Sequence, residues 1–264
     1  MKDSLATPNF RLSSLVCSIQ HSAFSTPHFP MKSTPWHVRR NRREPLKYTA
    51  LTDRLYRYIV ECRSGADDPV LEALRAETRR RFAEAAPMQI APDQGTLMTL
   101  LVAALGVRSA IEVGTFTGHS AICIARGLPA GGCLLCLDKS GEWTDLARRY
   151  WAKAGVDKKI ELRLGPALES LKKLEKKRRF DFAFLDADKT EYDAYYEMIL
   201  PRMRPNGLIL FDNMLWGGRL GRRVKHPAGR AIDALNRKLA RDPRVQSVLL
   251  PLSDGVTVCR VLGK

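Results

Sequence analysis

The feature that most constrains the fold is a regular alternation of short apolar segments with helical segments, which begins near residue 109. The apolar segments have the length and composition of β-strands. Such alternation predicts a mostly parallel sheet with helices on both faces. Strands are predicted at 109–113, 133–137, 160–164, 180–185, 207–211, 245–250 and 256–262.

Helices are predicted to connect most of these strands. The last two strands are the exception, because Pro251–Gly255 is too short for a crossover helix and therefore predicts an antiparallel hairpin. The predicted fold class is α/β, a seven-stranded, mostly parallel, doubly wound sheet with an antiparallel C-terminal hairpin. Helices are predicted at 51–63, 69–85, 92–105, 118–127, 142–154, 166–177, 190–201 and 227–241.

The N-terminal segment, residues 1–47, differs from the rest of the chain. It is rich in Ser, Thr and Pro, has scattered Arg, and shows no sustained apolar periodicity, so it is predicted to be disordered. Two interpretations stay open. It is either an organelle transit segment, for a mitochondrion or plastid, or an upstream extension of a cytoplasmic protein that starts at Met31. The folded domain is predicted to span residues 48–264.

Charge and cysteine usage limit the class of protein. The formal net charge of +16 favours anionic partners, and no apolar run is long enough to span a bilayer. The six scattered cysteines indicate a reducing compartment. Cys133 and Cys136 have the spacing of a redox or zinc pair, but in a strand they point to opposite faces, so both are interpreted as structural. The basic run Leu171–Arg179 is interpreted as a solvated helix end.

Polar side chains follow two of the predicted strands. The fourth strand is followed by Asp186 and Lys189, and the fifth by Asp212 and Asn213. Ligands of open α/β sheets bind at the carboxyl ends of the strands, and carboxylate and amide oxygens suit a hard divalent cation. The pattern predicts a cation site at this edge. The alternative is that the two aspartates only cap the turns that follow them.

A glycine turn follows the first strand, in the segment Glu112–Ser120. It lacks the three-glycine spacing of a dinucleotide fingerprint, which indicates a ligand without a pyrophosphate. Asp138 lies at the end of the second strand, about twenty residues further on, where an acid can accept the hydroxyls of a ribose. The turn and the acid together predict a nucleoside-containing ligand.

Several motifs occur in one order between residues 51 and 264. They are Glu112–Ser120, Asp138, Ala154–Ile160, Gly165–Ala167, Asp186–Lys189, Asp212–Trp216 and Asp254–Thr257. Together they resemble the cation-dependent O-methyltransferases, the caffeoyl-CoA and catechol O-methyltransferase group. The resemblance implies a Rossmann-like class I methyltransferase that uses S-adenosylmethionine and Mg²⁺, or Ca²⁺ or Mn²⁺. It also implies a homodimer that methylates one hydroxyl of a vicinal diol in a small aromatic acceptor, of the catechol or caffeoyl-CoA type.

The resemblance also implies roles for individual residues. Asp186, Asp212 and Asn213 would hold the metal, and Lys189 would act as the base, with Asp186 as a second catalytic residue. Ile90 departs from the pattern, because many relatives have Thr there. The positions implied to bind the cofactor are Met88, Ile90, Glu112, Gly114, Ser120, Asp138, Ala167 and Asp186.

Two other functions are weighed against this one. The nearest rival, which the basic composition motivates, is a nucleic-acid methyltransferase, whose activity would fall steeply with salt and survive chelation. A non-catalytic cofactor-binding protein on the same fold is disfavoured, because a decayed site would not need to keep Asp186, Lys189, Asp212 and Asn213. Trp216 is expected either to wall the acceptor pocket or to pack under the last helix. His119 is expected, like His226, on the surface.

Overall fold

The structure of the chain, a computed structural model, describes residues 47–221 and 224–263. The predictions for the N-terminal segment therefore fall outside the described residues, except at Lys47. Seven strands form one sheet. They are β1 Ser109–Val113, β2 Cys133–Asp138, β3 Ile160–Leu164, β4 Phe180–Leu185, β5 Met203–Phe211, β6 Val245–Leu250 and β7 Val256–Val261.

The strand order is β3-β2-β1-β4-β5-β7-β6. Strands β1 to β5 pair in parallel, whereas β7 is antiparallel to both β5 and β6. The predicted α/β sheet with its C-terminal hairpin is confirmed. Val113 pairs with Leu185, and Leu185 pairs with Phe211. The residues that follow these three strands consequently lie side by side at one edge of the sheet.

Helices cover both faces of the sheet and bury two apolar cores. One core contains side chains of α2 to α5, and the other contains side chains of α6, α7 and α8. The helices are α1 Asp53–Glu61, α2 Pro69–Arg81, α3 Pro92–Ala104, α4 His119–Gly127, α5 Gly141–Lys153, α6 Ala167–Lys172, α7 Tyr192–Ile199 and α8 Pro227–Leu239. None of these helices is long and apolar enough to cross a membrane, and the search covers only the described residues.

Local chemistry sets the helix starts near the site. Asp68 caps α2 by accepting from the backbone N–H groups of Val70 and Leu71. Its carboxylate also pairs with Arg126 of α4, so one side chain starts a helix and ties it to a neighbour. Ser140 caps α5 in the same way, by accepting from the N–H of Trp143.

Three element boundaries differ from the prediction by four residues or more, and one of them is the end of α2, which lies at Arg81 instead of residue 85. Strand β5 begins four residues before the predicted start, because Pro205 and the left-handed Asn206 (φ 64°) are accommodated in a bulge instead of ending the strand. Helix α6 ends at Lys172 rather than at residue 177. Like charges within one helical turn repel, and the basic residues from Lys173 to Arg179 therefore form a loop.

Candidate active site

The candidate cation ligands lie at two neighbouring strand ends. The N–H of Asp186 donates to the Val113 carbonyl (2.8 Å), and the N–H of Asp212 donates to the Leu185 carbonyl (3.1 Å). Asp212 is 3% exposed, and the Asp186 side chain is 16% exposed. Burial, together with the negative charge of Asp186, raises the pKa of Asp212 to about 7. Two carboxylates held this close away from water favour positive charge beside them.

Lys189 supplies one positive charge to this pair. Its Nζ lies 2.7 Å from Oδ1 of Asp186 and 2.8 Å from the Tyr192 hydroxyl, and its side chain is 14% exposed. Tyr192 in turn donates to the Leu185 carbonyl (3.0 Å). Asp188 caps the turn that carries Lys189, because its Oδ1 accepts from the N–H of Thr190 (2.9 Å). The amine is therefore fixed at the edge of the carboxylate pair.

Asn213 follows Asp212 in a left-handed conformation (φ 58°), which asparagine adopts more readily than most residues. Its backbone N–H donates to Oδ1 of Asp212 (2.6 Å). The next two residues are tied to the β6–β7 turn, since the N–H groups of Met214 and Leu215 donate to the carbonyls of Gly255 and Asp254. The turn after β5 is thus anchored from both sides.

The donor set fits a hard cation. Asp186, Asp212 and Asn213 offer two carboxylates and one amide oxygen, which are the ligand types of Mg²⁺ and Ca²⁺. Hard cations take about six or more oxygen ligands, so a cation held by these three side chains would keep positions for water or substrate oxygens.

The glycine turn after β1 lies directly against Asp186, one of the candidate cation ligands. Gly114 has φ 88°, its N–H donates to the Leu137 carbonyl (2.9 Å), and a Cβ on it would lie 2.1 Å from the backbone oxygen of Asp186. Only glycine fits at this contact between β1 and β4. The predicted cofactor turn and the predicted metal ligand are therefore neighbours.

Gly114→Ala is expected to destabilise the protein by more than about 3 kcal/mol, because left-handed strain adds to a collision with backbone that cannot move aside. Gly155→Ala is the matched control. Gly155 also has positive φ (67°), but nothing lies within 4 Å of its added Cβ, so it should cost about 1 kcal/mol. Urea unfolding measures both, and equal losses would show that strain alone requires glycine at 114.

Glu112 lies beneath the glycine turn and is fully buried. Among the described residues, neither its Oε1 nor the Thr115 hydroxyl has a hydrogen-bond partner. Burial raises the pKa of Glu112 to about 7, despite the nearby hydroxyls of Ser120 and Thr115. Buried polar atoms are normally paired, so a ligand with hydrogen-bond donors would complete this site.

Glu112→Gln tests the buried carboxyl in the protein without ligand. The folded-state pKa of about 7 lies above the ordinary value of 4.5, so the wild type loses stability as the pH rises through this window. The loss should reach ~3 kcal/mol, and glutamine removes it. Urea unfolding at about pH 5 and about pH 8 should show a smaller difference for the variant. An unchanged difference would contradict the assignment to Glu112.

Asp138 holds the glycine turn in place. Its Oδ2 accepts from the N–H groups of Thr115 and Phe116 (2.8 Å each), and its Oδ1 accepts from the N–H of Ser140 (2.8 Å). It pairs across β2 and β3 with Leu164, and Ala167 begins α6 soon after that residue. Asp138 and Ala167 therefore lie at the same corner of the sheet.

The loop before α3 docks on the same turn. The side-chain amide of Gln89 donates to the hydroxyls of Thr117 (2.9 Å) and Thr78 (3.1 Å). The neighbours of Gln89 differ, since Met88 is 49% exposed whereas Ile90 is 5% exposed. Arg75 donates to the Ile90 carbonyl. The structure thus brings this loop to the glycine turn, with Met88 open to solvent.

Two expectations about aromatic side chains are resolved. The prediction that His119 lies on the surface is wrong, because it is 3% exposed at the start of α4, and burial lowers its pKa to about 3. Helix α3 packs closely against α4 beside it, since a Cβ on Gly95 of α3 would lie 2.8 Å from the Cys123 sulfur and 3.5 Å from the imidazole. Trp216 packs under α8, where a Cβ on Gly229 would lie 2.7 Å from the indole nitrogen.

Sequence reasoning missed two residues of the site. Gln94, in the first turn of α3, is fully buried beside Asp212, and neither of its amide atoms has a partner in the described chain. Tyr192 accepts from Lys189. A polar residue at the start of an apolar helix was the only signal for Gln94, and the three-residue spacing from Lys189 was the only one for Tyr192.

Comparisons with known proteins find similar chains. The sequence model of a family described as O-methyltransferase matches residues 61–262. Tapetum-specific methyltransferase 1 of Arabidopsis thaliana is 34% identical over 83% of this chain and 98% of the relative. Caffeoyl-CoA O-methyltransferase 2 of Zea mays is 37% identical, over 79% of this chain and 83% of its own. Tricin synthase 2 of Oryza sativa subsp. japonica is 40% identical, and the match spans 66% of this chain and 64% of that protein.

Solved structures share the fold. An O-methyltransferase from Bacillus cereus in complex with SAH superposes with a TM-score of 0.71 at 32% identity, covering 78% of this chain and 96% of that one. An SAH-bound methyltransferase from Podospora anserina superposes with a TM-score of 0.72 at 28% identity, covering 83% and 100%.

Proposed function

Because the chain belongs to the O-methyltransferase family, whose match extends over residues 61–262, we propose that it transfers the methyl group of S-adenosylmethionine to one hydroxyl of a vicinal diol. The proposed acceptor is a small aromatic molecule, and the reaction requires a divalent cation. One observation carries the proposal. The buried carboxylate of Asp212 and the partly exposed one of Asp186 lie at neighbouring strand ends, with Lys189 and Gly114 in contact with Asp186.

The cofactor site is proposed at the glycine turn. The unpartnered Oε1 of Glu112 fits the ammonium group of the methionine part, and Asp138 fits the ribose. The SAH-bound relatives support this choice of ligand. S-adenosylmethionine carries an activated methyl group on a sulfonium, so the protein needs mainly to place it. Gly114, Ser120, Ala167, Met88, the backbone near Ile90, and Asp186 are proposed to complete the site.

The cation site is proposed at Asp186, Asp212 and Asn213, and Mg²⁺ fits this all-oxygen set. A divalent cation supplies charge that makes a phenol, with an ordinary pKa near ~10, more acidic and orients two vicinal oxygens. A bound cation would repel the positive charge of the nearby Lys189 ammonium group and favour the neutral amine, and in that form Lys189 is proposed to take the proton of the reacting hydroxyl. Its Nζ, held at 2.7 Å from Asp186, stands within reach of a group that approaches this pair.

Three further proposals concern the class of acceptor, the state of assembly and the cellular compartment. The caffeoyl-CoA O-methyltransferase of Zea mays supports a catechol-type ring, either free or as a CoA thioester. A homodimer is proposed from the family resemblance, and sedimentation measures it. The five described cysteines are free thiols, which supports a reducing compartment such as the cytoplasm.

The function is tested with labelled cofactor and a panel that contains catechol, caffeoyl-CoA, their mono-hydroxy analogues and RNA. We expect transfer only to the vicinal diols, loss of transfer with a chelator, and recovery when Mg²⁺ is added. Transfer that ignores the chelator would contradict the cation mechanism. Transfer to RNA in place of the diols would favour the nucleic-acid methyltransferase.

A further inference from the structure

A second charged feature lies at the opposite edge of the sheet, where the strands begin. This feature, which we call the amino-edge cleft, has a volume of about 410 Å³. Strands of five or six residues rise ~3.3 Å per residue, so this cleft is roughly 17–20 Å from the candidate active site. The lining residues are Ser109, Cys133, Glu175, Lys177, Arg178, Arg179 and Arg204.

The positive charges of the amino-edge cleft are poorly balanced. Lys177, Arg178 and Arg179 form no ion pair with a residue of the described ranges, and only Arg204 does, with Asp181 (3.1 Å). Arg179 donates instead to backbone carbonyls. Glu175 is the one carboxylate in the lining, so the four cations outnumber it and repel one another, and this cleft would gain from an anion.

Arg178 shows that part of the amino-edge cleft is preformed. Its guanidinium lies over the Phe180 ring, 5.6 Å from the centroid, and 3.4 Å from the Cys133 sulfur. Its Nε is buried and has no hydrogen-bond partner among the described residues. A guanidinium fixed by packing loses little entropy when it binds an oxyanion in a bidentate manner.

A second basic cleft provides the contrast. The α8 cleft, of about 450 Å³, is lined by Arg237, Lys238, Arg241, Asp242, Pro243 and Arg244. Three of its four cations are paired with carboxylates of the described residues: Arg237 with Asp233, Lys238 with Glu197, and Arg244 with Glu197 and Asp242. Within the described ranges, most cations of the α8 cleft are therefore paired with carboxylates, whereas most cations of the amino-edge cleft are not.

We propose that the amino-edge cleft binds a phosphate-bearing small molecule of nucleotide size. Its volume falls in the range of small-ligand pockets, and three guanidinium groups and one ammonium suit phosphate oxygens. The lining contains no aromatic side chain on which the bases of a nucleic-acid strand would stack, and no aliphatic one that would enter a bilayer. The site is separate from methyl transfer and does not depend on the proposed function.

The test is calorimetric titration of the full chain with inorganic tripolyphosphate at low ionic strength, without divalent cations. This probe has no nucleoside or aromatic ring and so does not report on the candidate active site. Lys177→Gln with Arg179→Gln, both at exposed positions, should weaken binding by about tenfold or more. Arg178→Lys should weaken it several-fold, because the planar fork is lost.

The control is Arg237→Gln with Arg241→Gln, which removes the same charge from the α8 cleft and should change the affinity less than about twofold. Equal weakening by both double variants would show a general effect of net charge and overturn the proposal. Absence of tripolyphosphate binding would also overturn it. So would binding of a single-stranded RNA or of phosphatidylserine vesicles without binding of tripolyphosphate. Thermal unfolding checks that each variant folds. If Arg178→Lys does not fold, the double variant at the exposed positions Lys177 and Arg179 still decides the test.

Discussion

Asp212→Asn is expected to lower kcat/KM on the order of 10³-fold while it stabilises the protein measured without divalent cation. Asparagine keeps the shape of the side chain but removes the charge that the proposed cation needs. The stabilisation follows from the raised pKa of about 7, which burial and Asp186 cause. Because the folded-state pKa lies above the ordinary value of 3.8, the wild type loses stability as the pH rises from about 4 to about 7. Above that window the variant should unfold at higher temperature.

Asp181→Asn is the matched control, because it removes a carboxylate from the other end of β4. Asp181 accepts from the N–H groups of Arg108 and Ser109 (2.9 Å each) and pairs with Arg204. This variant should be less stable and keep its activity, which is the reverse of the result at Asp212. Thermal unfolding at about pH 8 and initial rates with saturating Mg²⁺ measure both. An active Asp212→Asn enzyme would remove Asp212 from the mechanism.

Much of the fold was predictable, because the central strands are buried on both faces and read as continuous apolar runs. Strand β4, with its run from Phe180 to Leu185, has the predicted bounds. The errors arise where local rules compete. Pro205 and Asn206 look like a strand end, yet pairing with β4 extends β5 through a bulge. Charge repulsion shortened α6, an effect that the helical spacing of its apolar residues does not reveal.

The neighbouring strand ends of the candidate site were predictable from the alternation of elements, and the contacts between distant segments were not. Asp186 and Asp212 follow strands that parallel pairing places together. Gln94 reaches Asp212 from a helix more than a hundred positions earlier in the chain. His119 lies where α3 approaches α4 closely, at a point where a Cβ on Gly95 would lie 2.8 Å from the Cys123 sulfur. Such placement depends on packing between elements that are distant in the chain, and no periodic pattern in the sequence reveals it.

Lys189→Met is expected to lower kcat by ~10²–10⁴-fold, the usual range for loss of a general base. Methionine keeps the length of the side chain and removes the amine that lies 2.7 Å from Asp186 and 2.8 Å from the Tyr192 hydroxyl. Tyr192→Phe is the control, because it keeps the amine and removes only one of its two partners. It should lower kcat by less than about tenfold.

The pH dependence of the Lys189→Met variant separates a base from a residue that only holds Asp186 in place. If Lys189 is the base, the rate of the variant should rise about tenfold per pH unit until the acceptor phenol, made more acidic by the cation, ionises below its ordinary pKa of ~10. Additional Mg²⁺ should not restore it. If Lys189 only positions the carboxylate 2.7 Å away, the variant should instead bind the cation more weakly and recover wild-type kcat at saturating Mg²⁺. Recovery of that kind would contradict the proposed role, because a missing proton acceptor cannot be replaced by more cation.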